Sequence, residues 1–176
     1  PGGPFERSFA GYEHRPQQVE MLKAVADAFN IREHLLVEAG AGVGKSLAYL
    51  LPAIQFATQN GRRVVISSNT INLQDQIYKK DIPDLQRVLS IPFRAALLKG
   101  RNNYLCLRRL SAFRRLRQHS VEEVRALAKI LAWLPTTETG DRAELLLLHS
   151  DSPVWAHVQA SAETCMGDIC PFRRNG

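Results

Sequence analysis

Three cysteines in 176 residues are too few to staple a fold with disulfides, and their odd number leaves at least one thiol unpaired. Long apolar runs are also missing. The longest, Leu47 to Ile54, has eight residues and contains Pro52, far short of the ~20 that a membrane-spanning helix needs. The opening PGGPFERSFAGYEHR has no apolar core of the kind a secretory signal carries. Together these features lead us to expect a reducing, cytoplasmic compartment and no membrane partner. Internal repeats and low-complexity segments are absent, and no Asp-Glu dipeptide occurs anywhere. The chain opens on Pro1 rather than Met, so a cut or processed product is expected. A composition of 45% hydrophobic and 23% charged residues excludes disordered and collagen-like classes. The length suits one domain with a real core, or one and a fraction. With 23 Lys+Arg against 17 Asp+Glu the net charge is +6, which permits a nucleic-acid partner without arguing for one.

Three short β-rich runs recur 30 residues apart: HLLVE (34–38), VVISS (64–68) and RAALL (94–98). Helical period fills the intervals. Val19, Leu22, Val25, Ala26 and Phe29 line one face of a helix that starts near Pro16, and Leu47, Leu50, Leu51 and Ile54 line another that stops at Asn60-Gly61. Thr70 to Lys80 and Pro83 to Leu89 read as one broken helix or two. Strand–helix–strand at this spacing predicts βαβ units and a parallel sheet flanked by helices, an α/β fold. Past residue 100 the character changes. Tyr104 to Arg117 reads as a helix, and Ser120-Val-Glu-Glu123 is a capping box opening a helix to about Leu134. We therefore expect residues 1–100 to form the α/β part and residues 101–176 a mostly helical subdomain.

The strongest local signal is VEAGAGVGKSLAYLLPAI (37–54). An apolar run leads into Ala39-Gly40-Ala41-Gly42-Val43-Gly44-Lys45-Ser46, and a helix follows. This is a phosphate-binding loop with Ala39 at the position where the strict pattern has Gly. Gly42 and Gly44 allow the positive φ that turns successive N–H groups inward around phosphates, and the next helix aims its N-terminus at the same anion. Lys45 is placed to reach the β- and γ-phosphates and the Ser46 hydroxyl to ligate Mg²⁺. At average residue frequencies the defining positions coincide by chance in about one chain in a hundred of this length. Nucleotide binding, with ATP and Mg²⁺, is the expectation.

Other residues are less specific by themselves. Arg15 and Gln18 are polar residues in the first turn of a helix, and Thr70 and Gln74 suit capping and solvating one. Arg108, Arg109, Arg114, Arg115 and Arg117 spread around a helix at 100° steps, which reads as solvated or packing arginines more than as a DNA-facing stripe. Cys106, Cys165 and Cys170 are compatible with small buried side chains or with a metal site. Spacing alone does not choose between iron–sulfur and zinc, the latter with His149 or His157 as a fourth ligand.

Taken in order, these segments resemble one family. YEHRPQQVEM (12–21) resembles the Q motif of superfamily 2 helicases, VVISSNTINLQDQIYKKDIPDL (64–85) resembles their motif Ia, and LKGRNNYLC (98–106) and ETCMGDICPF (163–172) resemble the cysteine segments of the DinG/XPD-type iron–sulfur helicases, closest to the bacterial DinG branch. The resemblance covers nearly the whole chain. It implies a RecA-like fold, adenine contacts by Arg15 and Gln18, single-stranded DNA contacts by Thr70 and Gln74, and a [4Fe–4S] cluster on Cys106, Cys165 and Cys170 with a fourth cysteine beyond Gly176. It also implies a bacterial, nucleoid-associated setting, with no obligate protein partner inferred. Hydrolysis in such helicases uses a D-E-x-H box, which this sequence lacks. An N-terminal piece of an ATP-dependent DNA helicase is therefore expected, one that binds nucleotide weakly and unwinds nothing alone. The competing reading is a P-loop kinase or other small-molecule ATPase with a structural zinc.

Overall fold

A computed structural model describes residues 3–8, 13–145 and 152–173. The chain forms two compact units, Pro1–Leu97 and Leu98–Gly176.

In the first unit, α1 (Pro4–Ser8) precedes α2 (Pro16–Ile31), whose first turn is preset by Pro16 and whose end is closed by Arg32 in the left-handed region. Helix α3 (Lys45–Asn60) starts at Gly44 and stops at Gly61, both left-handed; the Gly61 N–H caps the Ala57 carbonyl. The two pack together, with Phe29 stacked on Phe56 at 4.7 Å between ring centroids. Thr70 caps α4 (Ile71–Gln76) by accepting from the Leu73 N–H. Without leaving helical backbone, α4 runs through a π-helical turn (Ile77–Asp81) into α5 (Ile82–Val88). The sequence left open whether this segment is one broken helix or two; it is one path with a π turn in it. Leu50 and Ile54 of α3 meet Leu85 of α5 in a small core, with Leu47, Leu51, Ile77 and Ile82 packed around it.

The parallel sheet expected here is not formed among the described residues. Segments 34–38, 64–68 and 94–98 lie outside helices and are not paired as strands. A central parallel strand is covered on both faces, and these are not. Leu36 is 100% exposed, Val65 90% and Leu98 82%. An open groove of about 410 Å³ between Val25, Phe29, Tyr49, Ala53 and the 64–68 segment lies where close strand packing was expected. Strand pairing depends on neighbours that β-propensity does not supply.

The second unit is helical, built from α6 (Leu107–Arg114), α7 (Val121–Trp133) and α8 (Ser152–Val158). The capping box of α7 is complete: the Ser120 N–H donates to Glu123 Oε2 at 2.7 Å, and the Glu123 N–H donates to Ser120 Oγ at 3.2 Å. One core joins Leu110 and Phe113 to Ala126, Leu127, Ile130 and Trp133, and to Val154, Trp155 and Val158. The helix expected over Tyr104 to Arg117 is shorter at both ends. Residues 104–106 are drawn instead into backbone pairing, Leu105 N–H to Gly140 O at 2.9 Å, Cys106 N–H to Val158 O at 2.8 Å and Ala160 N–H to Tyr104 O at 2.8 Å.

Candidate nucleotide site

The loop from Ala39 to Ser46 joins the non-helical run after α2 to the first turn of α3. Gly42 and Gly44 carry φ of 80° and 84°, a region closed to most side chains at a cost of about 1–2 kcal/mol. Both glycines are thus needed where the sequence places them; Gly40 is not in that region. Lys45 Nζ donates to the carbonyls of Ala39 at 2.9 Å and Gly40 at 2.7 Å, which folds the side chain back over the start of the loop. Val43 and Gly44 are half-buried, and Ala41 is exposed.

Two side chains from the start of α2 grip the far side of this loop. Arg15 donates to the Gly42 carbonyl and pairs with Glu13 at 3.2 Å. Gln18 Nε2 donates to the Gly44 carbonyl at 2.9 Å. The fit is tight, for a Cβ placed on Gly44 would stand 2.2 Å from Gln18 Nε2. The Q-motif-like residues and the phosphate loop therefore form one connected structure, though they lie 26 and 27 positions apart.

Beneath the start of α3 lies Asp81, which the sequence reading passed over. It is 8% exposed. Burial pushes its carboxyl above the ordinary aspartate range; Lys80 and hydrogen bonding from Gln76 and Ser46 oppose this, while Asp84 adds to it. One buried oxygen, Oδ2, completes no hydrogen bond within the protein. A signal did exist in the sequence. Ile77, Asp81 and Leu85 recur at i, i+4, i+8, which puts the aspartate on the apolar face of its segment.

Thr70 and Gln74 sit at the start of α4. The Thr70 hydroxyl is engaged as a cap, and its carbonyl accepts from the Gln74 N–H at 3.1 Å. Gln74 is half-buried.

In the second unit, the residues of the LKGRNNYLC segment hold the fold. Lys99 pairs with Asp141 at 2.8 Å, both buried. The Lys99 N–H donates to the Tyr104 hydroxyl at 2.9 Å, and Trp155 Nε1 donates to the Asn102 carbonyl at 2.9 Å. Arg109 donates to the carbonyls of Ala156 (2.8 Å) and Gln159 (2.9 Å), closing the end of α8, and Arg108 reaches the Thr164 carbonyl at 2.6 Å. Those two arginines are packing residues, whereas Arg114, Arg115 and Arg117 are exposed.

Cys106, Cys165 and Cys170 are free thiols. Cys106 precedes α6, Cys165 accepts weakly from the Gly167 N–H at 3.5 Å, and Cys170 follows a 3₁₀ turn (Gly167–Ile169). Among the described residues no three Cys, His, Asp or Glu side chains converge as a metal site. His157 stacks on Phe113 with 5.0 Å between centroids; His149, the other zinc candidate, lies outside the described residues. No described helix is long and apolar enough to cross a membrane.

The DEAD/DEAH box helicase model matches residues 15–134, from the arginine that grips the loop to the end of α7. The chain belongs to the DEAD/DEAH box helicase family. Membership carries the RecA-like P-loop fold with it. Relatives of this chain include ATP-dependent DNA helicase YoaA of Haemophilus influenzae, 39% identical over 170 residues, which is 96% of this chain and 26% of that protein. ATP-dependent helicase DinG of Mycobacterium tuberculosis is 41% identical over 94% of this chain and 27% of its own length. The protein named 3'-5' exonuclease DinG in Bacillus subtilis is 42% identical over 82% of this chain and 16% of its own length. The chain thus spans about a quarter or less of the curated relatives it matches.

Proposed function

We propose that this chain is the nucleotide-binding N-terminal part of an ATP-dependent DNA helicase of the DinG/YoaA kind. Carrying the reading is the phosphate loop itself, with Gly42 and Gly44 left-handed at the head of α3 and Arg15 and Gln18 braced against it, inside a helicase-family match. The backbone N–H groups of residues 40–46 and the first turn of α3 receive the phosphates. Lys45 leaves the carbonyls of Ala39 and Gly40 for a phosphate oxygen, exchanging neutral acceptors for charged ones. Ser46 would help hold Mg²⁺, which would supply positive charge beside the phosphates. Arg15 and Gln18 keep the loop in register with the start of α2 and serve the adenine from the same place.

Segment 70–88 is our candidate for single-stranded DNA, with Thr70 and Gln74 at its leading end. Contacts of that kind go to the sugar–phosphate backbone and give salt-sensitive, sequence-blind affinity. The extended segments 34–38, 64–68 and 94–98 are the proposed strands of the RecA-like sheet, completed by the remainder of the protein; their exposed Leu36, Val65 and Leu98 support this. Residues 101–176 are proposed as part of an iron–sulfur subdomain, supported by three free thiols in the family's order. No step above runs through a cluster. We place the whole protein with bacterial chromosomal DNA.

The test is ATP hydrolysis by the whole protein with and without single-stranded DNA. Stimulation by DNA, abolished by Lys45→Ala, is expected. Hydrolysis indifferent to DNA, or near-normal turnover in Lys45→Ala, refutes the reading. Iron and sulfide content, lost in Cys106→Ser, tests the cluster separately.

A further inference from the structure

Asp81 has no task in the function just described, yet its setting is costly. An ionised carboxyl among Ile77, Leu85 and the start of α3 is unfavourable unless donors surround it. It is the first residue before α5 but makes no side-chain cap to that helix, so capping does not account for it. It also ends the π turn, a distortion that recurs at functional positions. The α3 helix packs on this turn, and Ser46 lies in the first turn of α3, one residue after Lys45.

We propose that Asp81 is a positioning residue for the phosphate loop, its buried carboxylate taking the proton of the Ser46 hydroxyl in a hydrogen bond and so presenting the hydroxyl lone pairs to Mg²⁺. The chemistry asks for such a group. A serine hydroxyl has one proton and two lone pairs, and it ligates a cation well only when the proton points elsewhere. The Ser46 and Gln76 side chains face the carboxyl as hydrogen-bonding groups, and the buried Oδ2 has no partner. A buried orphan oxygen of this kind is unfavourable and calls for an explanation; a Ser46 hydroxyl turned fully toward it supplies one. Because Asp81 belongs to the 70–88 segment, the same bond links that segment mechanically to the nucleotide.

This inference rests on the helicase reading, and the experiment separates the two. In the whole protein, ADP binding is titrated with a fluorescent analogue in EDTA and across a magnesium series, for wild type, Asp81→Asn, Ser46→Ala and the double variant, alongside thermal melting. Asp81→Asn is expected to leave affinity in EDTA within about twofold and to raise the magnesium needed for half-saturation about tenfold, the effect of one charge-assisted hydrogen bond. The double variant should match Ser46→Ala. Asp81→Glu, which keeps the carboxylate, should recover part of the loss. Additive effects of the two substitutions overturn the inference, and so does an unchanged magnesium requirement in Asp81→Asn, whatever its melting temperature. A wild type that binds no nucleotide refutes the helicase reading instead.

Discussion

Gly44→Ala offers the most searching test of the loop, because two separate costs are built into one methyl group. The first is conformational. Gly44 sits at φ 84°, and an alanine held there costs about 1–2 kcal/mol. The second is steric. The new Cβ would lie 2.2 Å from Gln18 Nε2, so Gln18 must swing away and give up its 2.9 Å bond to the Gly44 carbonyl, worth about 1 kcal/mol. Together they predict a loss of about 2–3 kcal/mol, or roughly 30- to 150-fold in nucleotide affinity. Gln18→Ala alone should cost about 1 kcal/mol, since it removes the same bond. The double variant counts that bond only once, so its loss should fall short of the sum of the singles by about 1 kcal/mol. Isothermal titration of ADP into all four proteins measures this directly. Strict additivity would falsify the packing of Gln18 on Gly44, and wild-type affinity in Gly44→Ala would refute the assignment of the loop.

Lys99→Met should destabilise the second unit by about 3–5 kcal/mol in urea unfolding, because Asp141 is left charged and buried; a change under 1 kcal/mol would show the pair to be dispensable. Ser120→Ala removes one half of a complete capping box and should cost about 1 kcal/mol in the same assay, with no effect on nucleotide affinity. Single-stranded DNA binding by the whole protein should weaken steeply between 50 and 200 mM salt, as phosphate contacts require; salt-independent binding would remove the 70–88 segment from consideration as a backbone-contacting surface.

What the sequence disclosed tracks the range of the forces involved. Helices α2, α3 and α7 were legible because Pro16, Gly61 and the Ser120–Glu123 box are local signals with local effects. The left-handed Gly42 and Gly44 followed from the chemistry of a phosphate loop. The strand pairing expected of the 34–38 and 64–68 runs is not formed among the described residues, since β-rich runs do not specify what lies alongside them. Nor was the shortening of the 104–117 helix, which depends on carbonyls of Gly140 and Val158 far along the chain. The grip of Arg15 and Gln18 on the loop likewise joins residues that sequence order keeps apart. Asp81 was hidden differently. Its neighbours Lys79 and Lys80 advertise a solvated surface, and only the period of Ile77 and Leu85 contradicts them.

The pairing of residues 104–106 with 140–141 and 158–160 bears on how the second unit is made. Arg109 and its acceptor Gln159 are 50 positions apart, a span a ribosome covers in roughly 3–10 s. Helices α6 and α7 emerge long before the segment that closes α6 against α8. During that interval the Cys106 backbone N–H lacks its Val158 acceptor. Order of synthesis therefore delays the closure of α6 against α8 until residues 158–160 are made.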